Sequence, residues 1–405
     1  MAKKSKPVTP SKRATVLREC RNLKMAASAH AYVRGNTQNF YEWLATADVS
    51  KIPLGPPIWI CGDCHVGNLG PLADKDGKID VQIRDFDQTV IGNPAHDLIR
   101  LGLSLAMAAR GSDLPGVTTA GMLQEIILGY EKSLADGCPR PRGRRPKCVQ
   151  VVMRKAIARS WEHLAKERIE DTAPTIPLGK HFWPLSAKER AEVERIFSTE
   201  EARRLVTSLQ CRKNGARVKV LDAAYWVKGC SSLGRLRLAV LLGVGRHSRK
   251  NGGLCLIDIK EAIKAAAPRH ADAAVPRDNA KRVTQGARHL SPGLGERMLA
   301  AQFLDRSVVL RELLPQDLKV EIEEIGQKEA IKAARYLASV VGKAHARQMD
   351  GETRAKWSEE LQRNRSANLD APSWLWSSVV DLIASHEAAY LEHCRRYAVD
   401  MASAA

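Results

Sequence analysis

The chain has 405 residues, 44% of them apolar and 27% charged, enough to bury a core in two or three domain-sized units and too rich in ordering residues for a disordered tail. Its 64 Lys plus Arg against 45 Asp plus Glu give a formal net charge of +19, a balance that points to anionic partners and is silent on fold. The best apolar stretch, Leu98 to Ala109, is twelve residues long and contains Arg100, short of the roughly 18 residues a membrane span needs.

No apolar stretch follows the basic N-terminus, so no secretory signal is expected and a cytoplasmic location is. The nine cysteines, at 20, 61, 64, 138, 148, 211, 230, 255 and 394, form no disulfide framework and fit reduced thiols. Basic runs at Lys3, Lys4, Lys6, Lys12 and Arg13, and at Arg140, Arg142, Arg144, Arg145 and Lys147, read as solvated segments; nucleic acid is a partner they allow without favouring.

Residues 16–47 lack proline and carry spaced apolar positions, which predicts helix broken near Gly35. A strand follows at Pro57 to Cys61, then the dense cluster Gly62-Asp63-Cys64-His65-Val66-Gly67-Asn68. The Asp76-Gly77 pair between apolar runs predicts a hairpin whose second strand, Ile79 to Ile83, delivers Asp85-Phe86-Asp87. Helices are expected from Asp97 to Arg110, over 116–135 and over 149–169. After about 215 the pattern changes. Runs at 218–221, 224–227, 236–242 and 254–259, with Val308 to Leu310, predict a small antiparallel sheet, and helices return at 328–347 and 374–400. No internal repeat of 20 to 50 residues is present.

Asp63, Asn68 and Asp85 are an acid and an amide on one loop, with a second acid that the hairpin folds back toward it. Alone, each reads as a turn or capping residue; together they are hard oxygen ligands suited to Mg²⁺, with Asp87 beside them. Cys61-Gly62-Asp63-Cys64-His65 also matches haem attachment, zinc or redox patterns. Haem attachment accompanies export, and no second ligand pair stands at a comparable spacing for zinc. Downstream, Gly229, Ser231, Ser232 and Gly234 form a Gly/Ser turn between strands, which offers backbone N–H groups to phosphate. Arg235-Leu236 stand where a P-loop requires Lys-Ser/Thr. The strand Leu254 to Ile259 ends in Lys260, placed to neutralise phosphates as in a kinase small lobe.

Ile60 to Asn68, Asp85-Phe86-Asp87 and Gly92 to Leu98 resemble the catalytic and metal loops of aminoglycoside phosphotransferases and related kinases. With Lys24-Met25-Ala26-Ala27-Ser28 and Arg34-Gly35, the chain more closely resembles the bacterial family catalogued as domain of unknown function 2252. The resemblance implies an α+β, protein-kinase-like bilobal fold using ATP and Mg²⁺. Asp63 would be base or orienter, Asn68 and Asp85 (with Asp87) metal ligands, Lys260 the phosphate lysine, and Val308 to Leu313 the hinge strand, with Arg311 and Leu313 near the adenine. His65 is either a catalytic base or a brace for the loop.

The order differs from that of kinases, because the catalytic and metal loops precede the Gly-rich hairpin and lysine. A helix like the one that normally leads into the catalytic loop, Tyr336 to Ala346, stands late. A circular permutation is expected, tolerable where termini are close and exposed. The implied organisation is a basic segment at 1–19, a helical large lobe with the catalytic and metal loops at 20–210, a β-rich nucleotide-binding small lobe at 211–325, and helices of 326–405 returning to the large lobe. Ser231 replaces the middle glycine, and Gln285 stands where a glutamate partner for Lys260 is sought. The expected function is phosphoryl transfer from ATP to a small-molecule or protein hydroxyl, an anionic one fitting the charge. Nucleotidyl transfer, non-catalytic ATP or polyanion binding and phosphodiester cleavage are the other readings.

Overall fold

The computed structural model describes residues 8–135, 145–169, 175–209, 212, 215–230, 232–245, 253–320, 325–362 and 372–397. It is a mixed α+β structure with three antiparallel sheets. Strands β1 (Ile58–Ile60) and β4 (Val90–Gly92) pair, as do β2 (Leu69–Ala73) and β3 (Ile79–Ile83). The third sheet has six strands in the order β5-β6-β7-β8-β10-β9. These are β5 (Phe182–Trp183), β6 (Val218–Trp226), β7 (Arg237–Val244), β8 (Leu254–Glu261), β9 (Met298–Phe303) and β10 (Arg306–Leu313).

The region expected as one broken helix over 16–47 is three helices, Arg13–Ala26, Ala29–Gly35 and Thr37–Thr46. The side chains of Ser28 and Asn36 cap the second and third by accepting from Ala31 N–H and Asn39 N–H, so local capping overrides apolar continuity. Likewise 149–169 is split into Lys147–Ala158 and Trp161–Ile169. The two short runs expected at 218–221 and 224–227 are the single strand β6, irregular between Val220 and Asp222. That bulge shifts the alternation of faces, which is why the run looked interrupted.

The six-stranded sheet is buried on both faces. Leu238, Val240, Leu242, Ile257 and Leu310 pack outward against Val193, Ile196, Phe197 and Val206 of helices Ala187–Ser198 and Glu200–Thr207. At one end of the inner face Ala224, Trp226, Leu241 and Leu256 pack on Ala165, Ile169, Ile176 and Phe182. The other core is helical. Helices Gly116–Ala135 and Gln327–Ala346 lie in close contact, because a Cβ at Gly129 would stand 2.1 Å from the Arg335 carbonyl oxygen. Helix Ala95–Gly111, buried along nearly its whole length, runs behind the 61–68 loop. Among the described residues no helix is long and apolar enough to cross a membrane.

Candidate functional site

Strand β1 ends at Ile60 and the chain turns sharply through Gly62, whose φ of 73° favours glycine. A Cβ there would lie 2.2 Å from the Gln88 carbonyl oxygen, so the 61–68 loop and the 85–89 segment are pressed together. Asp97 secures the loop from beneath. Its carboxylate accepts from Cys61 N–H at 2.8 Å and Gly62 N–H at 2.9 Å, and from His345 Nε2 at 3.2 Å.

Asp63 presents one carboxylate oxygen to Arg100 Nε at 2.8 Å and the other to the Thr37 hydroxyl at 2.8 Å. Asn68 Nδ2 donates to the Asp63 carbonyl oxygen at 2.9 Å. That bond orients the amide and leaves its Oδ1 as a ligand oxygen. The β2–β3 hairpin then returns the chain, and Arg84 N–H donates to the Asn68 carbonyl at 2.9 Å, which brings Asp85 beside the first loop. Thr37, Asp63, Asn68, Asp85, Asp87 and Arg235 share the lining of one small cleft.

Lys260, at the end of β8, reaches across to the same acids, 3.2 Å from Asp85 Oδ2 and 2.7 Å from Asp87 Oδ2. Burial opposes the charged form of Asp85, but the Lys260 ammonium and the N–H of Asp87 outweigh it and hold this carboxyl well below its usual range. Asp87 moves the other way, raised by burial and by the charge of Asp85. Lys260 is raised, since the two acids overcome the burial that would lower it. Oxygen donors concentrated this way fit a hard divalent ion, with Asn68 Oδ1, Asp85 and Asp87 as the residues able to hold Mg²⁺.

The other expected residues lie as follows. His65 is buried, with Nδ1 lacking a partner among the described residues, and burial pulls it down to about 4; it is not among the residues that line the cleft. Gly229 and Gly234 have φ of 93° and 96°, and the Gly229 carbonyl accepts from Lys24 Nζ at 3.1 Å. Ser232 donates to the Lys228 carbonyl within the turn, while Ser231 lies outside the described residues. Arg311 donates to the Arg84 carbonyl at 2.9 Å and pairs with Asp317 at 2.9 Å. Leu313 packs on the Trp226 cluster. Gln285 does not serve Lys260, whose partners are the acids themselves. The same helix, Asn279–Leu290, is tied to the metal loop through Arg282, which donates to the carbonyls of Thr89, Asp87 and Ile263.

Arg100, Thr37, Arg282 and Asp258 were not expected at the site. Two of them carried a signal, since Arg100 and Asp258 are charges inside otherwise apolar runs and buried charges require partners. Cys61, Cys64 and Asp97 could be taken for a metal group, their ligand atoms lying within 4.8 Å of one another. The Asp97 oxygens are already engaged by N–H donors; the hydrogen bond with Cys64 and burial raise the Cys61 thiol, while Cys64, lowered by that contact, is raised on balance by burial and the charges of Asp97 and Asp63. The cluster therefore reads as a loop brace.

A fold of this kind, with an acidic cleft between a mainly helical part and a six-stranded sheet, defines a mixed α+β protein with a candidate metal-assisted site. The family model described as "Uncharacterized protein conserved in bacteria (DUF2252)" matches residues 13–396, and the chain belongs to that family. No curated protein and no solved structure matches it.

Proposed function

We propose that this protein is an Mg²⁺- and ATP-dependent phosphotransferase with a circularly permuted, kinase-like bilobal architecture. An acceptor hydroxyl attacks the γ-phosphorus, the bond from that phosphorus to the bridging oxygen breaks, and ADP leaves with the bridging oxygen. The observation that carries the reading is that Asp63, Asn68 and Asp85 line one cleft and that Lys260, nearly two hundred positions from Asp63, pairs with Asp85 and Asp87 at its edge. Asp63 orients the acceptor hydroxyl and takes its proton, the Thr37 hydroxyl marking the oxygen of Asp63 that faces the cleft. Lys260 and the Gly229–Gly234 turn hold the donor phosphates. Mg²⁺, when bound, neutralises charge on the phosphate oxygens.

A second contact favours the permuted order. Gln348, just past the end of helix Gln327–Ala346, holds Trp59 of β1 through both backbone groups, at 2.9 and 3.0 Å. A helix that in kinases leads into the catalytic loop thus abuts the strand that here feeds it. Arg235 on the hairpin lies 3.6 Å from Asp87, bringing the turn over the acids.

In such chemistry positioning and electrostatics supply most of the barrier reduction. Asp63→Ala and Asp85→Ala should each lower Mg·ATP turnover roughly 10²-fold or more. Asp63→Ala also strips buried Arg100 of its carboxylate and should lower the urea midpoint, so Asp63→Asn, which keeps an acceptor oxygen, separates lost turnover from lost stability. Undiminished ATP consumption by either alanine variant, at matched purity, overturns the reading.

A further inference from the structure

The inner face of the sheet beside Lys260 is charged toward β7 and apolar toward β10, where Val309 lies opposite Lys260. Alternation along the strands puts Arg237 of β7, Asp258 and Lys260 of β8 and Arg311 of β10 on that face, with Arg237 opposite Lys260 and Asp258 opposite Arg311. These four line a small cleft together with Asp85 and Asp87, with Phe86, Val283, Met298 and Val309 as its apolar side. Arg237 forks onto Asp258 at 2.9 and 2.5 Å, so two charged groups occupy the position next to the lysine. Beyond them the inner face is closed by the packed Trp226, Leu241 and Leu256.

At that boundary Lys228 Nζ stands 4.0 Å from the centre of the Trp226 ring, and Arg237 Cζ stands 5.2 Å from the same ring. Phe182 stacks on Trp226 at 5.7 Å. Half-buried Lys228 makes no ion pair or hydrogen bond through its ammonium among the described residues. Arg237, Arg168 and Arg311 act on it unfavourably, and its acidic neighbours Asp258 and Glu167 are already held, by Arg237 and by Arg159 with Arg168. Arg168 shares Glu167 with Arg159, and the Nε atoms of Arg84, Arg159 and Arg168 are buried without an acceptor. Four cations thus surround two acids here, and a half-buried surplus of positive charge is costly unless an anion completes it.

We infer that Lys228, Arg237 and Arg168 form a phosphate subsite, and that the donor is held chiefly by its phosphate chain, running from Lys260 past Arg237 toward Lys228. The inference rests on the phosphotransfer reading and sets its donor class: oligophosphate-bearing molecules, with little discrimination among bases. Planar guanidinium groups and an ammonium over an aromatic face are the donors such oligophosphate oxygens pair with.

Calorimetric titration of the full chain with tripolyphosphate, Mg·ATP, Mg·GTP and adenosine tests it. Tripolyphosphate should bind and displace ATP, GTP should match ATP within a few-fold, and adenosine should not compete at millimolar concentration. Lys228→Gln should weaken tripolyphosphate and ATP at least tenfold, and Lys228→Arg should restore them. Without ligand, Lys228→Gln should leave the thermal midpoint equal or raised, whereas a merely structural lysine would lower it. Competition by adenosine, or ATP binding indifferent to Lys228→Gln, overturns the subsite and spares phosphotransfer. Lys228-dependent tripolyphosphate binding with no phosphoryl transfer from ATP sinks the phosphotransfer reading and keeps the subsite; absence of all binding sinks both.

Discussion

Asp97 is shielded from solvent, yet it organises the 61–68 loop from the far side. The polar chain behind it has one consistent direction. Trp357 Nε1–H donates to Tyr130 Oη at 3.0 Å, the Tyr130 hydroxyl is left to donate to His345 Nδ1 at 2.9 Å, and His345 Nε2–H faces Asp97 at 3.2 Å. Three donors therefore converge on one carboxylate. Asn at this position offers a single acceptor oxygen and turns an NH₂ group toward an N–H, leaving buried donors unsatisfied. Asp97→Asn should cost about 2–4 kcal/mol of stability, measured as a lowered urea midpoint with unchanged slope. A midpoint equal to wild type would show the network to be dispensable. In the sequence, Asp97 was legible as the start of a helix after Gly92-Asn93-Pro94. Its partners were not, since His345 lies 248 positions away and no local pattern links them. Arg100 was visible only as a break in an apolar run; its role as the partner of Asp63 needed the packing of two helices onto the loop.

Element by element, the strength of the local signal decided what could be read. The Asp76-Gly77 turn has a φ of 80° at Gly77 and joins β2 to β3 as its dipeptide requires. Strand β9, Met298-Leu299-Ala300-Ala301-Gln302-Phe303, lacks β-branched residues and takes its conformation from pairing with β10. Helix Ala187–Ser198 was readable and passed over, for Ser186 and Glu189 form a complete capping box. The packing of helices Gly116–Ala135 and Gln327–Ala346 depends on glycine at the contact rather than on propensity. Gly342 faces Tyr130, where an added Cβ would stand 2.9 Å from the carbonyl oxygen, and Gly129 is tighter still. In an isolated helix Gly129→Ala would stabilise by about 1 kcal/mol. Here the methyl group meets backbone, and the helices must separate. The variant should lose stability, by about 1–3 kcal/mol as overpacked sites do, read by thermal unfolding. A stabilised variant would mean that the helices can part without loss.

For the whole molecule, the mixed α+β class and the hairpin-borne acids could be read from pattern alone, whereas the joining of distant segments could not. The C-terminal helix Ser373–Tyr397 lies along the first helix, with Tyr390 Oη donating to the Ala26 carbonyl and His393 Nε2 2.9 Å from the Asn22 carbonyl. Its inner face also buries His386, 3.2 Å from Asn39 Nδ2. Burial, with Arg100 adding to it, pulls His386 down to about 3, and burial, aided by Arg100 and Arg34 against Asp63, pulls His65 down to about 4. An unfolded histidine has a pKa near 6.5, so between the two values the unfolded chain binds protons that the folded chain refuses. Stability from these groups is therefore complete above about pH 6.5 and is lost as the pH falls toward their folded values. Each contributes on the order of 3 kcal/mol across that window. The lowered carboxyls Asp258 and Asp317, paired with Arg237 and Arg297, lose their contribution below the ordinary carboxylate range, so the two processes separate on the pH axis. The thermal midpoint should fall steeply between pH 6.5 and 4, before those acids titrate, and His386→Gln should flatten that limb by up to one proton of slope. A midpoint constant to pH 4, or an unaltered slope in His386→Gln, would place the acid sensitivity elsewhere.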